Sequence, residues 1–226
     1  GYSGAYTCAV GNTSGYGIQA VHGEDRATFL FLGSSYSSYT HDGSTFVDNG
    51  STCTWTKRDG TKVVYVAYHE GSNPICKSNN ISKIIYPDGR IVTYYYYGSF
   101  STGTHAWSPI LSIVTNSGFM LKYNYSGTPK FGSQTSVTAI NRAFEACDPT
   151  ALTCSLTNPW PTATLTFQDK MMSTSDGFPS ISPTYNPFRH YTFTIEDAAH
   201  RKHVFELDSY FRVISYQPPE ATTPQF

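Results

Sequence analysis

Residues 86–97 read YPDGRIVTYYYY, and this run constrains the fold more than any other part of the sequence. Successive side chains of a β-strand point to opposite faces of a sheet, so Tyr94, Tyr95, Tyr96 and Tyr97 must occupy both faces. A sheet with one face in water keeps polar residues on that face. This strand is therefore predicted to lie in a sheet whose two faces both meet other parts of a protein.

Strand-like runs that flank a turn of acidic or amide residues recur along the chain. The predicted hairpins span residues 53–68 around Asp59-Gly60, 81–97 around Asp88-Gly89, 111–125 around Asn116-Ser117-Gly118 and 191–216 around Asp197-Ala198-Ala199. We expect Gly60, Gly89 and Gly118 to make the turns, because Asp-Gly suits a two-residue loop whose central positions both have positive φ. One more copy is predicted with its turn at Asp42-Gly43. The predicted fold class is all-β, built from antiparallel hairpin repeats with long loops.

Repetition of this kind indicates units that bury their faces by stacking on neighbours. An ordinary β-sandwich with several similar hairpins is the alternative. Helix is predicted only as one short turn within residues 139–147, and residues 147–190, rich in Pro, Ser and Thr, are predicted to form long loops. We divide the chain into an N-terminal β segment (1–40), a β-repeat region (41–216) and an extended tail (217–226).

Five cysteines are present, and the segment CDPTALTC places two of them around an Asp-Pro turn. We predict that Cys147 and Cys154 form a disulfide that closes this loop, which indicates an oxidising compartment. A zinc site needs two CxxC-like pairs, and the sequence does not contain them. The pairing of Cys8, Cys53 and Cys76 stays open, because three cysteines leave one that is free or that bonds another chain.

The charge pattern argues against nucleic acid as a partner. The formal net charge is −1, and 15 basic residues are scattered among 16 acidic ones, whereas phosphate binding needs clustered Lys and Arg. No run approaches the about 18 apolar residues that a membrane helix needs, so no membrane insertion is predicted. The chain starts at Gly1 without a signal segment, which indicates a processed chain or a piece of a longer one.

Known catalytic motifs are missing from the sequence. It contains no HExxH motif and no GxSxG elbow before a helix, so we expect no catalytic site and no cofactor. The segment EDAAHRKH brings Asp197, His200 and His203 close in sequence. Two histidines three positions apart on a strand point to opposite faces, so we expect no metal there. The spacing of Glu145 and Asp148 does not indicate the pair of facing carboxylates that a glycosidase needs.

The segments ISKIIYPDGRIVTYYYYGS, LSIVTNSGFMLKYNY and INRAFEACDPTALTC follow one another in an order that resembles the RHS/YD-repeat proteins of Gram-negative bacteria. The resemblance covers roughly residues 40–216 and is closest to the branch in which a YPDG hairpin precedes a CDP…C loop. Two positions depart from the pattern. His200 stands where such hairpins often carry Gly, and Cys53 stands where an aromatic residue is expected.

The resemblance implies a continuous, coiling β-sheet in an exported protein, whose long relatives wrap a toxin or present a cell-surface element. Seven tyrosines are expected to stack in such a sheet: Tyr86, Tyr94, Tyr95, Tyr96, Tyr97, Tyr123 and Tyr125. A few hairpins cannot close a cage, so both ends of the sheet should present strand edges. The expected function is that of a secreted or cell-surface structural protein. It would self-associate through its edges into a filament or shell, with identical subunits or further repeats as partners.

Two other functions are compatible with the same sequence features. One is a fragment of an RHS shell that encapsulates a toxin. The other is a glycan-binding cell-surface module in which tryptophans stack on sugar rings, since Trp107 and Trp160 lie in loops, where recognition residues often occur. In the structural interpretation each Trp, including Trp55, instead plugs the sheet or pins a loop onto it.

Overall fold

The computed structural model of the 226-residue chain describes residues 3–9, 16–32, 35–67, 76, 80–98, 108–129, 133–170, 190–208 and 212–221. Within these ranges the protein is all-β, with strands and turns and no helix, which confirms the predicted class. The sixteen strands are β1 (Ser3–Ala9), β2 (Tyr16–His22), β3 (Asp25–Phe31), β4 (Tyr36–Ser38), β5 (Thr45–Asp48), β6 (Thr52–Thr56), β7 (Lys62–Val66), β8 (Ile81–Ile85), β9 (Ile91–Tyr96), β10 (Ile110–Thr115), β11 (Phe119–Tyr125), β12 (Gln134–Asn141), β13 (Thr162–Lys170), β14 (His190–Glu196), β15 (Lys202–Leu207) and β16 (Val213–Gln217).

Strands that follow one another in sequence lie side by side in two antiparallel sheets. Strands β1 to β4 form a four-stranded sheet, and β5 to β16 form a twelve-stranded sheet, each in sequential order. Three predicted hairpins are present as β6–β7, β8–β9 and β10–β11, whereas the one predicted over 191–216 is the hairpin β14–β15 followed by a further strand, β16. The chain divides into two compact units: unit 1 is Gly1–Met120 with Asn141–Ser155, and unit 2 is Leu121–Ile140 with Leu156–Phe226.

Unit 1 has a hydrophobic core between its two sheets. The strands alternate buried and half-buried positions, as in β6, because every second side chain points inward. The core residues of the four-stranded sheet are Ile18, Ala20, Ala27 and Phe29, and those of the other sheet include Phe46, Cys53, Trp55, Val63, Tyr65, Ile81 and Ile84. The rings of Phe29 and Phe46 lie 5.4 Å apart. Residues on both sides of the predicted boundary at residue 40 thus share one core.

The tyrosines of β9 are half-buried on both faces of the strand, which agrees with the constraint set by the sequence. Tyr94 packs against the unit 1 core together with Tyr86 and Val92. The hydroxyl of Tyr96 donates a hydrogen bond of 2.8 Å to the carbonyl oxygen of Ile81 on the neighbouring strand. A tyrosine can therefore contribute apolar area and still satisfy its hydroxyl group.

The hairpin turns differ from the prediction in one respect. At the β6–β7 turn the amide of Lys57 donates to the carbonyl of Thr61 (2.8 Å), and the amide of Gly60 donates to the carbonyl of Lys57 (3.0 Å). Gly60 has a φ of +85°, whereas Asp59 does not have a positive φ. The turn is thus a three-residue loop, Arg58 to Gly60, whose last residue is left-handed, rather than a two-residue loop. Gly89 and Gly118 take the same place in their turns, with φ of +85° and +92°.

His200 fills the glycine position of the β14–β15 turn. Its φ is +60°, its amide donates to the carbonyl of Asp197 (2.9 Å), and the amide of Asp197 donates to the carbonyl of Arg201 (3.0 Å). The loop has the same length as the others, so the departure from Gly has not lengthened the turn. A side chain in the left-handed region costs about 1–2 kcal/mol relative to glycine.

Three other sequence expectations are corrected. Residues 162–170 lie in the stretch predicted to form long loops, but they form strand β13 of the twelve-stranded sheet. Asp42-Gly43 does not make a hairpin, because it joins β4 of one sheet to β5 of the other. The hairpin turn of that stretch follows Asp48, where the amide of Asn49 donates to the carbonyl of Thr52 (2.9 Å). The short helical turn predicted within residues 139–147 is instead the end of β12 and a non-helical turn.

The turn geometry predicts opposite effects for two substitutions. Gly89→Ala should lower the free energy of unfolding by about 1 kcal/mol, because its Cβ meets nothing within 4 Å and the cost is backbone strain alone. His200→Gly should raise it by about 0.5 kcal/mol, since relief of strain exceeds the loss of an exposed side-chain contact to Glu196. Urea denaturation followed by circular dichroism measures both. Changes of the same sign would contradict the assigned turn.

A polar contact links the two sheets of unit 1 at the β2–β3 turn. The ammonium group of Lys57 lies 2.6 Å from the Asp25 carboxylate and 3.0 Å from Nδ1 of His22. The Lys57 side chain is nearly buried and also lies over the Trp55 ring at 5.1 Å. Burial, with the neighbouring Lys57 charge, lowers the pKa of His22 below its usual 6.5. The folded protein therefore favours neutral His22.

This contact predicts a pH dependence of stability. The unfolded chain binds a proton at His22 near pH 6.5, whereas the folded chain binds it only at lower pH. The free energy of unfolding should therefore be highest above pH 6.5 and fall as the pH drops below it. His22→Gln should flatten this dependence over the pH range just below about 6.5. An unchanged pH profile in the variant, measured by thermal unfolding across this range, would contradict the assignment.

Candidate functional site

Four aromatic side chains form a row across the last four strands of unit 2. Phe167, Phe193, Phe205 and Tyr216 are direct cross-strand neighbours on β13, β14, β15 and β16. The ring centroids of Phe193 and Phe205 are 6.4 Å apart, and those of Phe205 and Tyr216 are 4.9 Å apart and stacked. We call these four residues the aromatic row. Aromatic pairs at such distances contribute about 0.5–1.5 kcal/mol beyond the area they bury.

Apolar residues extend the row on the same face of the sheet. The register places Leu165 opposite Ile195, and Tyr191 opposite Leu207. The ring of His203 stacks on Tyr216, with Nδ1 2.9 Å from the tyrosine hydroxyl. The aromatic face consists of the aromatic row with Leu165, Tyr191, Ile195, His203 and Leu207. All of these side chains are half-buried.

The opposite face of the same strands is mostly polar. It consists of Thr164, Thr166, Gln168, Thr192, Thr194, Glu196, Lys202, Val204, Glu206, Ser215 and Gln217, of which Val204 alone is apolar. Threonines at 164 and 166 are exposed, as is Gln168. The four strands are therefore amphipathic, and the buried apolar side chains among the described residues of unit 2 are Pro129 and Ile140. A sheet of this kind is stabilised when its apolar face is covered.

Two identical Asp–Arg clamps hold the turns at the two ends of β15. In the first, the Asp197 carboxylate accepts hydrogen bonds from the backbone amide of Arg201 (3.0 Å) and from its Nε (2.8 Å). Asp208 and Arg212 repeat these contacts at 3.0 and 2.6 Å. The hydrogen bond from the Arg201 side chain, with those from the backbone, lowers the pKa of Asp197 to about 2. Sequence analysis missed the clamps, whose signal is the recurrence of Asp-x-x-x-Arg in DAAHR and DSYFR.

Strand β16 is the outermost strand of its sheet in the part of the chain that the structure describes. Val213 and Ile214 are 55% and 41% exposed, although both are β-branched apolar residues. Natural edge strands are commonly protected by Lys, Pro, inward charges, β-bulges or very short length. Residues Val213–Gln217 contain no charge and no proline, but the register with β15 shifts at Ile214. We call this strand the β16 edge.

The opposite end of the sheet is better protected. Strand β5 has only four residues and ends in the charged Asp48, whose carboxylate accepts a hydrogen bond from the amide of Gly50 (2.8 Å). Its Phe46 packs edge-on against Tyr36 at 5.0 Å. A short strand with a charge at its end is a poor template for another chain. The β16 edge is thus the better candidate of the two for an interaction.

The tyrosines singled out from the sequence lie in several environments. The guanidinium of Arg90 lies over the ring of Tyr86, with its central carbon 4.7 Å from the ring centroid. Burial raises the pKa of Tyr123, and burial together with Tyr123 raises the pKa of Tyr125 to about 12. Tyr95 and Tyr97 are half-buried. The aromatic row lies at other positions, which sequence analysis did not select because cross-strand register is needed to see it.

Two disulfides are present. Cys147–Cys154 closes the predicted loop, and the hydroxyl of Ser112 donates to the carbonyl of Pro149 (2.7 Å), which holds the loop on β10. Cys53–Cys76 lies in the core of unit 1, and both cysteines are fully buried. Its 23-residue separation corresponds to about 3 kcal/mol in the chain-entropy account. Two such bonds are compatible with an oxidising, extracellular environment.

Among the described residues, the tryptophans do not form a platform on which sugar rings could stack. Trp55 is buried in the core of unit 1 at 2% exposure. Trp160 is half-buried, and its carbonyl accepts a hydrogen bond from the Thr162 hydroxyl (3.0 Å). Trp107 lies outside the described residues. Trp55 thus has the structural role that was weighed against sugar stacking.

One group of described side chains has the composition of a metal site. Among the described residues, one group of three ligand-type side chains comes within 4.8 Å: Asp48, Cys53 and Cys76. The two sulfurs are bonded to each other, so neither offers a thiolate.

No helix in the described ranges is long and apolar enough to span a bilayer.

No protein-family model matches the chain, and no curated protein matches it.

The aromatic row predicts an effect on stability. Phe205→Ala should lower the free energy of unfolding by about 2 kcal/mol, because it removes half-buried apolar area and two ring contacts. The matched control is Phe119→Ala, whose ring is 57% exposed and should cost less than about 0.5 kcal/mol. Both are measured by urea denaturation. Equal effects of the two substitutions would contradict a stabilising role of the row.

Proposed function

We propose that this chain is an exported structural β-protein that associates through strand edges with identical subunits or with further repeats. The product would be an extracellular filament or shell, and the chain would act mechanically rather than catalytically. The observation that supports this most is the β16 edge, which carries no charge and no proline, at the end of an open twelve-stranded sheet. The RHS/YD resemblance of the sequence fits the same proposal.

Edge pairing has a clear physical basis in this chain. An outer strand presents N–H and C=O groups on one side without a strand partner, and each such group is satisfied by water or by another chain. Val213 and Ile214 lose water when a strand is added beside them. Burial of apolar surface contributes about 25 cal/mol per Å². The edge thus combines backbone hydrogen bonding with apolar burial.

Two further features support an extracellular structural role. The disulfides Cys53–Cys76 and Cys147–Cys154 cross-link the chain in unit 1, and such bonds persist in oxidising compartments such as the cell exterior. The hairpin turns are held by their own side chains, as in the Asp197–Arg201 and Asp208–Arg212 clamps. The disulfides and clamps would stabilise the folded chain, while the β16 edge stays available for pairing with another strand.

The proposal predicts that a charge on the β16 edge prevents association. Val213→Lys places a solvated charge where another strand would pair, so assembly should weaken at least tenfold in concentration. The matched control is Leu121→Lys on β11, an exposed residue on an interior strand, which should assemble like the parent. Light scattering and electron microscopy across a concentration series measure the assembly.

The result can contradict the proposal in two ways. A parent chain that stays monomeric at high concentration would overturn edge assembly, and binding of that monomer on a glycan array would favour the alternative of a glycan-binding module. Equal assembly of Val213→Lys and the parent would show that the β16 edge is not the contact.

A further inference from the structure

Strand β1 is the outermost strand of the four-stranded sheet in the part of the chain that the structure describes. It pairs with β2 over seven consecutive residues, from Ser3 with His22 to Ala9 with Tyr16, and no register shift interrupts this ladder. Its sequence SGAYTCA contains no charge and no proline, which are common protections of natural edges. The outer strands β4 and β5 have only three and four residues, and the register of β16 shifts at Ile214. Among the described outer strands, β1 is thus the longest regular template for another strand.

The direction of the backbone groups of β1 follows from the neighbouring strands. The amide of Tyr39 donates to the carbonyl of Thr28 (2.8 Å), so even-numbered residues of β3 bond to β4 and odd-numbered residues bond to β2. The register between β2 and β3 then assigns the odd-numbered residues of β2 to bonds with β1. On β1, Gly4, Tyr6 and Cys8 therefore bond to β2. The amides and carbonyls directed away from the sheet belong to Ser3, Ala5, Thr7 and Ala9.

We infer that β1 pairs antiparallel with β1 of a second copy, about a two-fold axis at Tyr6. This inference rests on the proposed function and supplies a second contact for it. A patch that matches itself joins two copies and is then used up, so a filament or shell needs more than one contact on each copy. The β16 edge is one contact in that proposal, and β1 is the other. Pairing at β1 joins the four-stranded sheets of two copies into one continuous sheet.

Hydrogen-bond matching sets both the direction and the register. Directly opposite residues of antiparallel strands either exchange both hydrogen bonds or exchange none. With the axis at Tyr6, Ser3 lies opposite Ala9. Ala5 lies opposite Thr7 in the same register, so every outward amide and carbonyl of β1 meets an outward group of the second copy. In a parallel pair only one of two opposite residues directs its groups at the partner. Two identical edges in parallel register do not meet this condition.

A second copy of β1 also matches this edge better than the other outer strands do. Strand β5 offers four residues and brings Asp48 into the ladder. The regular ladder of β16 covers only Ser215, Tyr216 and Gln217. The seven residues of β1 match themselves over their full length, and no charge is buried.

Proline substitutions test the contact through the backbone. Ala5→Pro removes an outward amide hydrogen that β2 does not use, so the isolated subunit should keep the urea midpoint of the parent but lose the β1 contact. Tyr6→Pro removes an amide that bonds to β2, so it should lower that midpoint. The midpoints are measured at concentrations at which the parent is a monomer. At high concentration, sedimentation velocity and electron microscopy should show large assemblies of the parent and only small oligomers of Ala5→Pro.

Cysteine cross-linking tests the register. Gly4 lies opposite Cys8 of the second copy, and opposite residues that exchange no hydrogen bonds have Cα atoms about 4.5 Å apart, within the range of a disulfide. Gly4→Cys should therefore form a covalent species of twice 25.0 kDa with oxidised glutathione. For each bond formed, two thiols lose two protons and two electrons, and one glutathione disulfide becomes two glutathione thiols. The parent and Gly4→Cys in a Cys8→Ser background should not cross-link.

The outcomes separate the inference from the proposed function. If Ala5→Pro folds and assembles like the parent, the inference is wrong, whereas edge association through β16 stands. If the parent cross-links through Cys8 as well as Gly4→Cys does, β1 pairs in another register and the inference is also wrong. If Ala5→Pro does not fold, an assembled Gly4→Cys chain that forms no cross-link overturns the inference. A parent chain that stays monomeric at high concentration overturns both the inference and the proposed function.

Discussion

Backbone hydrogen bonding between consecutive antiparallel strands governs this structure. Each hairpin turn returns the chain beside the strand it has just formed, so the sheet grows by one strand per turn. A sheet that grows in this way and does not close leaves an outer strand at each end. The described sheet ends in β5 and β16, and these strands differ in length, charge and exposure. On the proposed function, this difference would direct association to β16.

The two units bury their apolar side chains in different ways. Unit 1 has two layers, with Phe29, Phe46 and Tyr65 between them and the Cys53–Cys76 disulfide in the same core. In unit 2 the aromatic face is half-buried, so its residues retain apolar area that a further contact would remove from water. Association that buries such area stabilises the folded chain by mass action. On the proposed function, folding and assembly would therefore be coupled most strongly in unit 2.

The sequence alone predicts the hairpins, but it does not predict which strands and sheets pack against one another. Strand, turn and strand are local patterns, so the turns at Gly60, Gly89 and Gly118 were predictable, as was the loop of Cys147 and Cys154. The turn type was wrong, because a three-residue loop with one left-handed position also uses Asp-Gly. Asp42-Gly43 was misassigned because a local pattern does not show which sheet the next strand joins.

The aromatic row and the Cys53–Cys76 disulfide depend on register and on packing between sheets, which single-sequence patterns do not specify. Phe167 and Phe193 are separated by a long connection in sequence, yet they are direct neighbours in the sheet.

Side chains in the turns explain how the hairpins can hold their shape while an edge stays open. Asp197 and Asp208 each bind the arginine four residues later, so those two turns are fixed locally. Asn116 instead joins neighbours, since its side chain accepts from the amide of Ile91 (3.0 Å) and donates to the carbonyl of Gly89 (2.9 Å). None of these contacts uses the outer side of β16. A strand added there would therefore extend the ladder without changing the turns that define the existing hairpins.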